Sequence, residues 1–147
     1  MSELGSKGIV PNLAVVIVGD DPASHVYVAA KERACQRLGI KSSKFSLPAI
    51  ANWGEVISLV ESLNENEDVD GILVQSPLPD GMDEIAISEL ISPDKDVDGF
   101  HPTNLGKLVQ GDASGLLPCT PSGVLMMLED SVPDSAVRRQ SSSGAQG

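Results

Sequence analysis

Two uninterrupted apolar runs stand out in the hydrophobic pattern of the chain. Leu13 to Val18 and Gly71 to Val74 contain no polar side chain, and such runs are typical of strands buried on both faces of a parallel sheet. A weaker strand is predicted at Lys44 to Leu47. Segments of helical spacing separate the strands, so the order of elements is that of a right-handed α/β unit. The pattern predicts a three-layer α/β domain with a mostly parallel sheet.

Capping residues indicate where the helices begin and end. We predict a first helix that Asp21 and Pro22 begin and Gly39 ends, because a proline suits a first turn and a glycine suits the position after the last one. Asn52 and Glu55 have the spacing of a capping box and precede a second helix. Two further helices are predicted at Asp83 to Ile91 and from Thr120-Pro121 through Leu128.

The 147 residues divide into three parts of different character. Residues 1–10 are glycine-rich and are predicted to form an irregular lead. Residues 11–130 carry all the periodic segments and form the predicted domain. Residues 131–147 have no apolar period and are rich in serine, which predicts a disordered tail.

Composition and charge exclude several classes of function. The net charge of -11 argues against a nucleic-acid partner, because phosphate contacts need a basic face. The sequence contains no run of ~20 apolar residues, so no membrane span is predicted. The absence of a signal-peptide pattern favours the cytoplasm. Cys35 and Cys119 are expected to be reduced thiols. His25 and His101 lack partners at metal-ligand spacing, so no metal site is predicted.

Two candidate groups lie near the ends of predicted strands. Tyr27 and Lys31 are one helical turn apart on the same face, so the ring could stack on a flat ligand while the lysine reaches its polar end. The alternative is a core tyrosine beside a surface lysine. Gln75 directly follows the second apolar run. It is a candidate binding residue or, alternatively, a strand-end amide satisfied by the backbone.

Two loop segments add further candidates. The acids Asp94, Asp96 and Asp98 alternate along one run, but their spacing lacks the loop length and terminal glutamate of an EF-hand. A turn with one functional acid, Asp98 before Gly99, is the better interpretation. The segment around Pro121 is either part of a site or simply a loop with a helix cap.

Four blocks of sequence, in order, resemble the bifunctional methylenetetrahydrofolate dehydrogenase/cyclohydrolase family. The first runs from Val18-Gly-Asp-Asp-Pro-Ala-Ser24 to Tyr27-Val-Ala-Ala-Lys31. The other three are Asp70-Gly-Ile-Leu-Val-Gln75-Ser-Pro-Leu-Pro79, Pro93-Asp-Lys-Asp-Val-Asp-Gly-Phe-His-Pro102, and Asn104-x-Gly106 with Pro118-Cys-Thr-Pro121.

The resemblance implies a folate enzyme that oxidises 5,10-methylenetetrahydrofolate with NADP and hydrolyses the methenyl product to 10-formyltetrahydrofolate. It implies that Lys31 assists the hydrolysis, that Gln75 holds and tunes this lysine, that Tyr27 stacks on the aminobenzoyl ring, and that Asp98 binds the pterin. It places Val74, Ser76 and Pro121 against the substrate. A lysine can act as a base near neutral pH only where its ammonium form is disfavoured.

The chain also departs from the family pattern. Ser76 stands where the family usually has leucine, and the glycine-rich phosphate loop of the family's Rossmann NADP-binding domain is missing. The resemblance therefore implies a chain truncated before that domain. We expect no measurable NADP affinity for residues 1–147 in a calorimetric titration, and micromolar binding would contradict this expectation. A family-like homodimer is a further expectation. The alternative function is a folate-binding or partner-binding module without turnover.

Overall fold

A computed structural model describes residues 8–131, and these residues form an α/β domain around a three-stranded parallel sheet. The strands are β1 (Asn12–Val18), β2 (Lys41–Leu47) and β3 (Gly71–Val74), in the spatial order β2-β1-β3. The helices are α1 (Pro22–Leu38), α2 (Trp53–Glu65), α3 (Glu84–Leu90), α4 (Pro102–Gln110) and α5 (Cys119–Ser131).

The central strand β1 is buried on both faces, which explains its uninterrupted apolar run. Val15 and Ile17 face α1 and pack with its Val28. The alternate residues of the strand face α2 and α3. The other core cluster contains Ala14, Val16 and Val18 of β1, Val56, Val60 and Leu63 of α2, and Ile87 of α3. Helices cover both faces of the sheet, so the predicted three-layer α/β class is confirmed.

The strand order creates a cleft at the carboxyl ends of β1 and β3. The chain leaves β1 through α1 to reach β2 on one side, and then passes through α2 to reach β3 on the other side of β1. Open α/β sheets bind ligands at such a reversal of strand order, outside the carboxyl ends of the strands. The fold therefore directs attention to the residues that follow β1 and β3.

The predicted caps of the first two helices are confirmed. The Asp21 side chain accepts a hydrogen bond from the Ser24 backbone N–H at the start of α1, and Gly39 ends this helix with φ 69°. Asn52 and Glu55 form the complete capping box of α2. The two caps of α1 therefore fix where this helix begins, directly after β1, and where it ends, directly before β2.

One helix and two element boundaries differ from the sequence prediction. Helix α4 was not predicted, although His101 caps it and Gly111 ends it with φ 74°, because its apolar positions are interrupted by polar residues and Gly106. Strand β2 begins at Lys41, three residues before the predicted start, since the polar side chains of this edge strand hide its pattern. Ser131 is the last residue of α5. Residues 132–147 of the predicted tail and residues 1–7 of the predicted lead lie outside the described residues.

Within residues 8–131, no helix is both long enough and apolar enough to span a membrane.

Candidate active site

A lysine and an amide meet at the carboxyl ends of β1 and β3. Lys31 of α1 donates a hydrogen bond from Nζ to Gln75 Oε1 at 2.7 Å. Gln75 Nε2 in turn donates to the backbone oxygen of Ser76 at 2.7 Å, which defines the amide end that faces the lysine. The neutral amide oxygen accepts one hydrogen bond from Nζ and brings no negative charge to the lysine. Lys31 Nζ therefore keeps further hydrogen-bonding capacity for a ligand.

The end of β3 distributes its side chains between the two faces of the sheet. Successive strand residues point to opposite faces, and Ile72 packs in the core cluster of α2 and α3 whereas Leu73 packs in that of α1. Gln75 continues the pattern of Leu73 and so meets α1 and Lys31. Val74 and Ser76 face the other side.

An apolar groove lies on that other side, between β3, α3 and α4. Its volume is about 480 Å³. Val74 and Ser76 line the groove together with Asp98, as three of the predicted substrate-contacting residues. The remaining walls are mostly apolar and include Ile85 of α3 and Leu105 of α4. Cofactor and substrate sites are commonly built in this way, with apolar walls and a few polar groups.

Asp98 connects the groove with the lysine. It lines the groove, and its carboxylate also lies within range of the Lys31 charge. Burial is the largest effect on this carboxyl and raises its pKa, while Lys31 opposes the rise and the neighbouring Asp96 adds to it. A carboxylate that is partly desolvated in a cleft is typical of a functional site.

The raised pKa of Asp98 predicts a pH-dependent gain in stability for Asp98→Asn. The folded state favours the protonated carboxyl of Asp98. Ionisation therefore lowers the free energy of unfolding as the pH rises from the ordinary pKa of 3.8 through the raised pKa. We expect Asp98→Asn to be more stable at neutral pH by less than about 1 kcal/mol, because solvent screens a half-buried charge. Thermal unfolding at a series of pH values should show this gain vanish in acid.

The exposed acid Asp94 provides the control for this measurement. Asp94→Asn should leave the pH dependence of unfolding as it is in the parent. If Asp98→Asn instead lowers the melting temperature at neutral pH, the carboxylate is held by favourable contacts and the burial argument is wrong.

Tyr27 and Pro121 occupy different positions relative to these groups. Tyr27 lies one turn before Lys31 on α1, and its side chain is 60% exposed, so its ring is available to a ligand at the cleft. Pro121 is exposed in the first turn of α5 and does not line the groove. The described geometry therefore brings Lys31, Gln75 and Asp98 together, with Tyr27 one turn from the lysine, and the substrate contact of Pro121 stays a prediction.

Two neighbours of Asp98 were not predicted as part of the site. The Cys119 thiol donates to the Val97 backbone oxygen at 2.7 Å. Burial raises the pKa of this thiol, and Asp98 and Asp96 raise it further. Asp96 is buried and was treated only as part of the acidic run. Cys119 lies in the candidate segment around Pro121, but its contact with Val97 depends on how the loop folds against α5. The burial of Asp96 depends on how the loop folds against Asn104 of α4.

The loop that carries Asp98 requires glycine at the next position. Gly99 has φ 73°, and a Cβ placed on it would lie 2.6 Å from the backbone of Leu117 and of Pro118. Such short distances would force the backbone to move. Only glycine allows the Asp98 loop to lie against the segment that leads into α5.

Gly99→Ala should therefore destabilise the domain by more than the cost of a positive φ alone. That cost is about 1–2 kcal/mol, and Gly39→Ala measures it in this chain because Gly39 has φ 69° and open space around it. Chemical denaturation of the two variants gives the comparison. Equal losses would show that the contact with Leu117 is not tight.

The fold and the site define a class of protein. The chain is a doubly wound α/β domain with a lysine–amide pair, a half-buried carboxylate and an apolar groove at its topological switch point. Such an arrangement suits a flat, polar-edged small molecule.

The family follows from comparison with known proteins. Residues 1–98 match the family model described as "Tetrahydrofolate dehydrogenase/cyclohydrolase, catalytic domain", and the chain belongs to this family. It is 54% identical over 125 residues to the bifunctional protein FolD of Methanosarcina mazei, covering 85% of this chain and 43% of that protein. It is 52% identical over 129 residues to FolD of Campylobacter hominis, covering 88% and 45%.

Solved structures agree with this assignment. The bifunctional FolD methylenetetrahydrofolate dehydrogenase/cyclohydrolase of Campylobacter jejuni superposes with a TM-score of 0.84 at 49% identity, covering 88% of this chain and 46% of that one. The Trypanosoma brucei enzyme, solved with NADP cofactor and inhibitor, gives 0.80 at 34% identity, covering 88% and 44%. The chain thus spans less than half the length of the relatives it matches.

Proposed function

We propose that the chain acts in one-carbon folate metabolism, as the folate-binding catalytic part of a methylenetetrahydrofolate dehydrogenase/methenyltetrahydrofolate cyclohydrolase. The observation that carries the proposal is the Lys31–Gln75 hydrogen bond with Asp98 in range of the lysine, at the switch point of the sheet. The names of the relatives supply the reaction class. The roles assigned to single residues below belong to the proposal.

Binding of a folate uses groups on both faces at the end of β3. Asp98 accepts hydrogen bonds from the donor edge of the pterin, for which a carboxylate is a stronger acceptor than a neutral side chain. Val74 and Ser76 form the adjoining wall of the groove. The exposed ring of Tyr27 stacks against the aminobenzoyl group, and Pro121 contacts the ligand from the first turn of α5.

Hydrolysis of the methenyl group is assigned to Lys31. A water molecule attacks the methenyl carbon and loses one proton to a base. The carbon–nitrogen bond to the pterin ring then breaks, the remaining hydroxyl proton passes to the released ring nitrogen, and 10-formyltetrahydrofolate results. The cation on the substrate disfavours a second positive charge beside it, so the amine of Lys31 can take the proton that the water loses. Gln75 keeps Nζ in place throughout by its hydrogen bond.

The NADP-dependent oxidation needs groups that residues 8–131 do not supply. A pyrophosphate is normally held by a glycine-rich turn at a helix N-terminus. The turn after β1 has one glycine, Gly19, which lies close to Ala49 and Pro79, and it is followed by Asp20 and Asp21. Two carboxylates repel a phosphate. The described residues do not fit NADP, and hydride transfer is assigned to none of them.

The alternative is a module that binds folate, or a partner, without turnover. Titration of the purified chain with tetrahydrofolate, followed by an absorbance assay of 5,10-methenyltetrahydrofolate hydrolysis, separates the two functions. Saturable binding with hydrolysis above the buffer rate supports the cyclohydrolase proposal. Binding without hydrolysis supports the alternative, and absence of binding contradicts both folate functions.

The setting of the protein is part of the same proposal. We place it in the cytoplasm, with no nucleic-acid partner, on the strength of the acidic net charge of -11 and the reduced state expected of Cys35 and Cys119. A family-like homodimer is the expected assembly. Sedimentation analysis of the chain checks the assembly directly.

A further inference from the structure

The acids of the run from Asp94 to Asp98 differ sharply in their environments. Asp94 is exposed and Asp98 is half-buried, whereas Asp96 is only 2% exposed. Burying a carboxylate is costly unless hydrogen bonds compensate for the lost water. Asp96 therefore needs donors around it.

The donors to Asp96 all come from the part of the chain that follows Asp98. Its Oδ1 accepts from the Gly99 backbone N–H at 3.0 Å. Its Oδ2 accepts from the His101 backbone N–H at 2.8 Å and from Asn104 Nδ2 at 3.1 Å. The carboxylate thus closes the chain into a short loop with Asp98 at its centre.

Asn104 ties this loop to the rest of the domain. Only 2% of the residue is exposed, and its Nδ2 also donates to the Pro93 backbone oxygen at 2.9 Å. Its Oδ1 accepts from the Leu116 backbone N–H at 3.2 Å. One side chain of α4 therefore fixes the segment before the acidic run, the buried Asp96 and the segment that leads to α5.

The far end of the loop is fixed as well. The Asp98 backbone oxygen accepts from the Cys119 N–H at 3.3 Å, and Gly99 lies against Leu117 and Pro118. Because the backbone is held before and after Asp98, the position of its carboxylate between Lys31 and the groove is determined by these contacts.

We propose that Asp96 and Asn104 are positioning residues that hold the Asp98 carboxylate in place for its ligand. This positioning role rests on the proposed function, which makes a folate the ligand of Asp98. Asp96 also lines the groove, but both of its carboxylate oxygens accept hydrogen bonds from within the protein, so we assign it a role through Asp98. The charged and titratable groups that act on Asp98 in the described residues are Lys31 and Asp96, and Asp98 in turn acts on Cys119.

The test compares Asp96→Asn with Asp94→Asn in the full chain. Both variants remove one negative charge from the same run, but only Asp96 accepts hydrogen bonds from the loop. We expect the dissociation constant for tetrahydrofolate to rise about tenfold or more in Asp96→Asn, equivalent to the loss of a well-placed hydrogen bond. Asp94→Asn should bind as the parent does.

A second measurement needs no folate. Carboxyl-carbon NMR follows the titration of Asp98, and in Asp96→Asn the midpoint should move to lower pH because the neighbouring charge that raises the pKa is gone. Amide hydrogen exchange at Gly99 should become faster in the same variant. Asn104→Ala, which removes a donor to Asp96 without changing the charge, should speed exchange and weaken folate binding while moving the midpoint less.

The outcomes distinguish the two levels of the proposal. If the parent binds no folate, the proposed function fails, and the NMR and exchange data alone decide whether Asp96 holds the loop. If the parent binds and Asp96→Asn binds equally well, the positioning role is wrong. A fall in melting temperature with unchanged affinity, exchange and titration midpoint would likewise leave Asp96 with a structural role only and overturn the proposal.

Discussion

In Lys31→Met, hydrolysis of 5,10-methenyltetrahydrofolate is expected to fall by about 100-fold or more, which is the usual contribution of a positioned general base. Methionine fills a similar volume but has no proton to exchange. Folate affinity should change little, since Asp98 and the groove residues remain. We suggest measuring both quantities in the 147-residue chain and in a chimaera that joins residues 1–130 to the remaining part of the M. mazei relative.

Lys44→Met is the matched control for Lys31→Met. Lys44 is exposed on the edge strand β2, so the same change of side chain there should leave the rate of hydrolysis unaltered. A parent-like rate in Lys31→Met would show that another group takes the proton. A loss of folate binding as large as the loss of rate would make Lys31 a binding residue instead.

The second large effect is expected from Asp98→Ala. Loss of a hydrogen bond to a charged group costs about 1.5–3 kcal/mol, so folate affinity should fall roughly 10- to 150-fold. Calorimetric titration with tetrahydrofolate measures the change. The domain itself should remain folded, because the Asp98 carboxylate is half-buried and its neighbour Asp96 provides the hydrogen bonds that close the loop.

Asp94→Ala is the control for Asp98→Ala, since Asp94 is exposed on the same run. Equal losses from both variants would mean that the run acts as a diffuse negative charge. Asp96→Ala cannot serve as this control, although nothing in the sequence separated Asp96 from Asp94. Asp96 is buried and hydrogen-bonded, so its removal would disturb the loop whether or not Asp98 binds a ligand.

Those parts of the fold with strong local signals were predictable from the sequence. The run Leu13 to Val18 has one stable environment, a strand buried on both faces, and the Asn52–Glu55 capping box has one local solution. Helix α4 escaped prediction because its one buried residue is the polar Asn104. An amphipathic pattern cannot identify a helix whose inward position carries an amide.

The site was predictable where a motif placed residues on one element, and less so where tertiary contacts decide. The spacing of Tyr27 and Lys31 put both on one face of α1, and the family resemblance supplied Gln75 and Asp98 as partners. The turn at Gly99 singled out Asp98 in the sequence, but no local rule shows that Asp96 is buried, since that depends on the direction that the loop takes. That direction depends on Gly99 and its contact with Leu117, 18 residues further along the chain.

The alternation of side chains at the end of β3 makes the length of this segment more critical than its composition. Deleting or inserting one residue between Gly71 and Gln75 would exchange the faces of the residues that follow. The amide would then turn towards the groove, and Lys31 would lose its acceptor. With only four residues in the strand, there is little room to absorb the shift in a bulge. Apolar substitutions at Ile72 or Leu73 can be tolerated by repacking. A shift of the strand by one residue, in contrast, removes the hydrogen bond between Lys31 and Gln75.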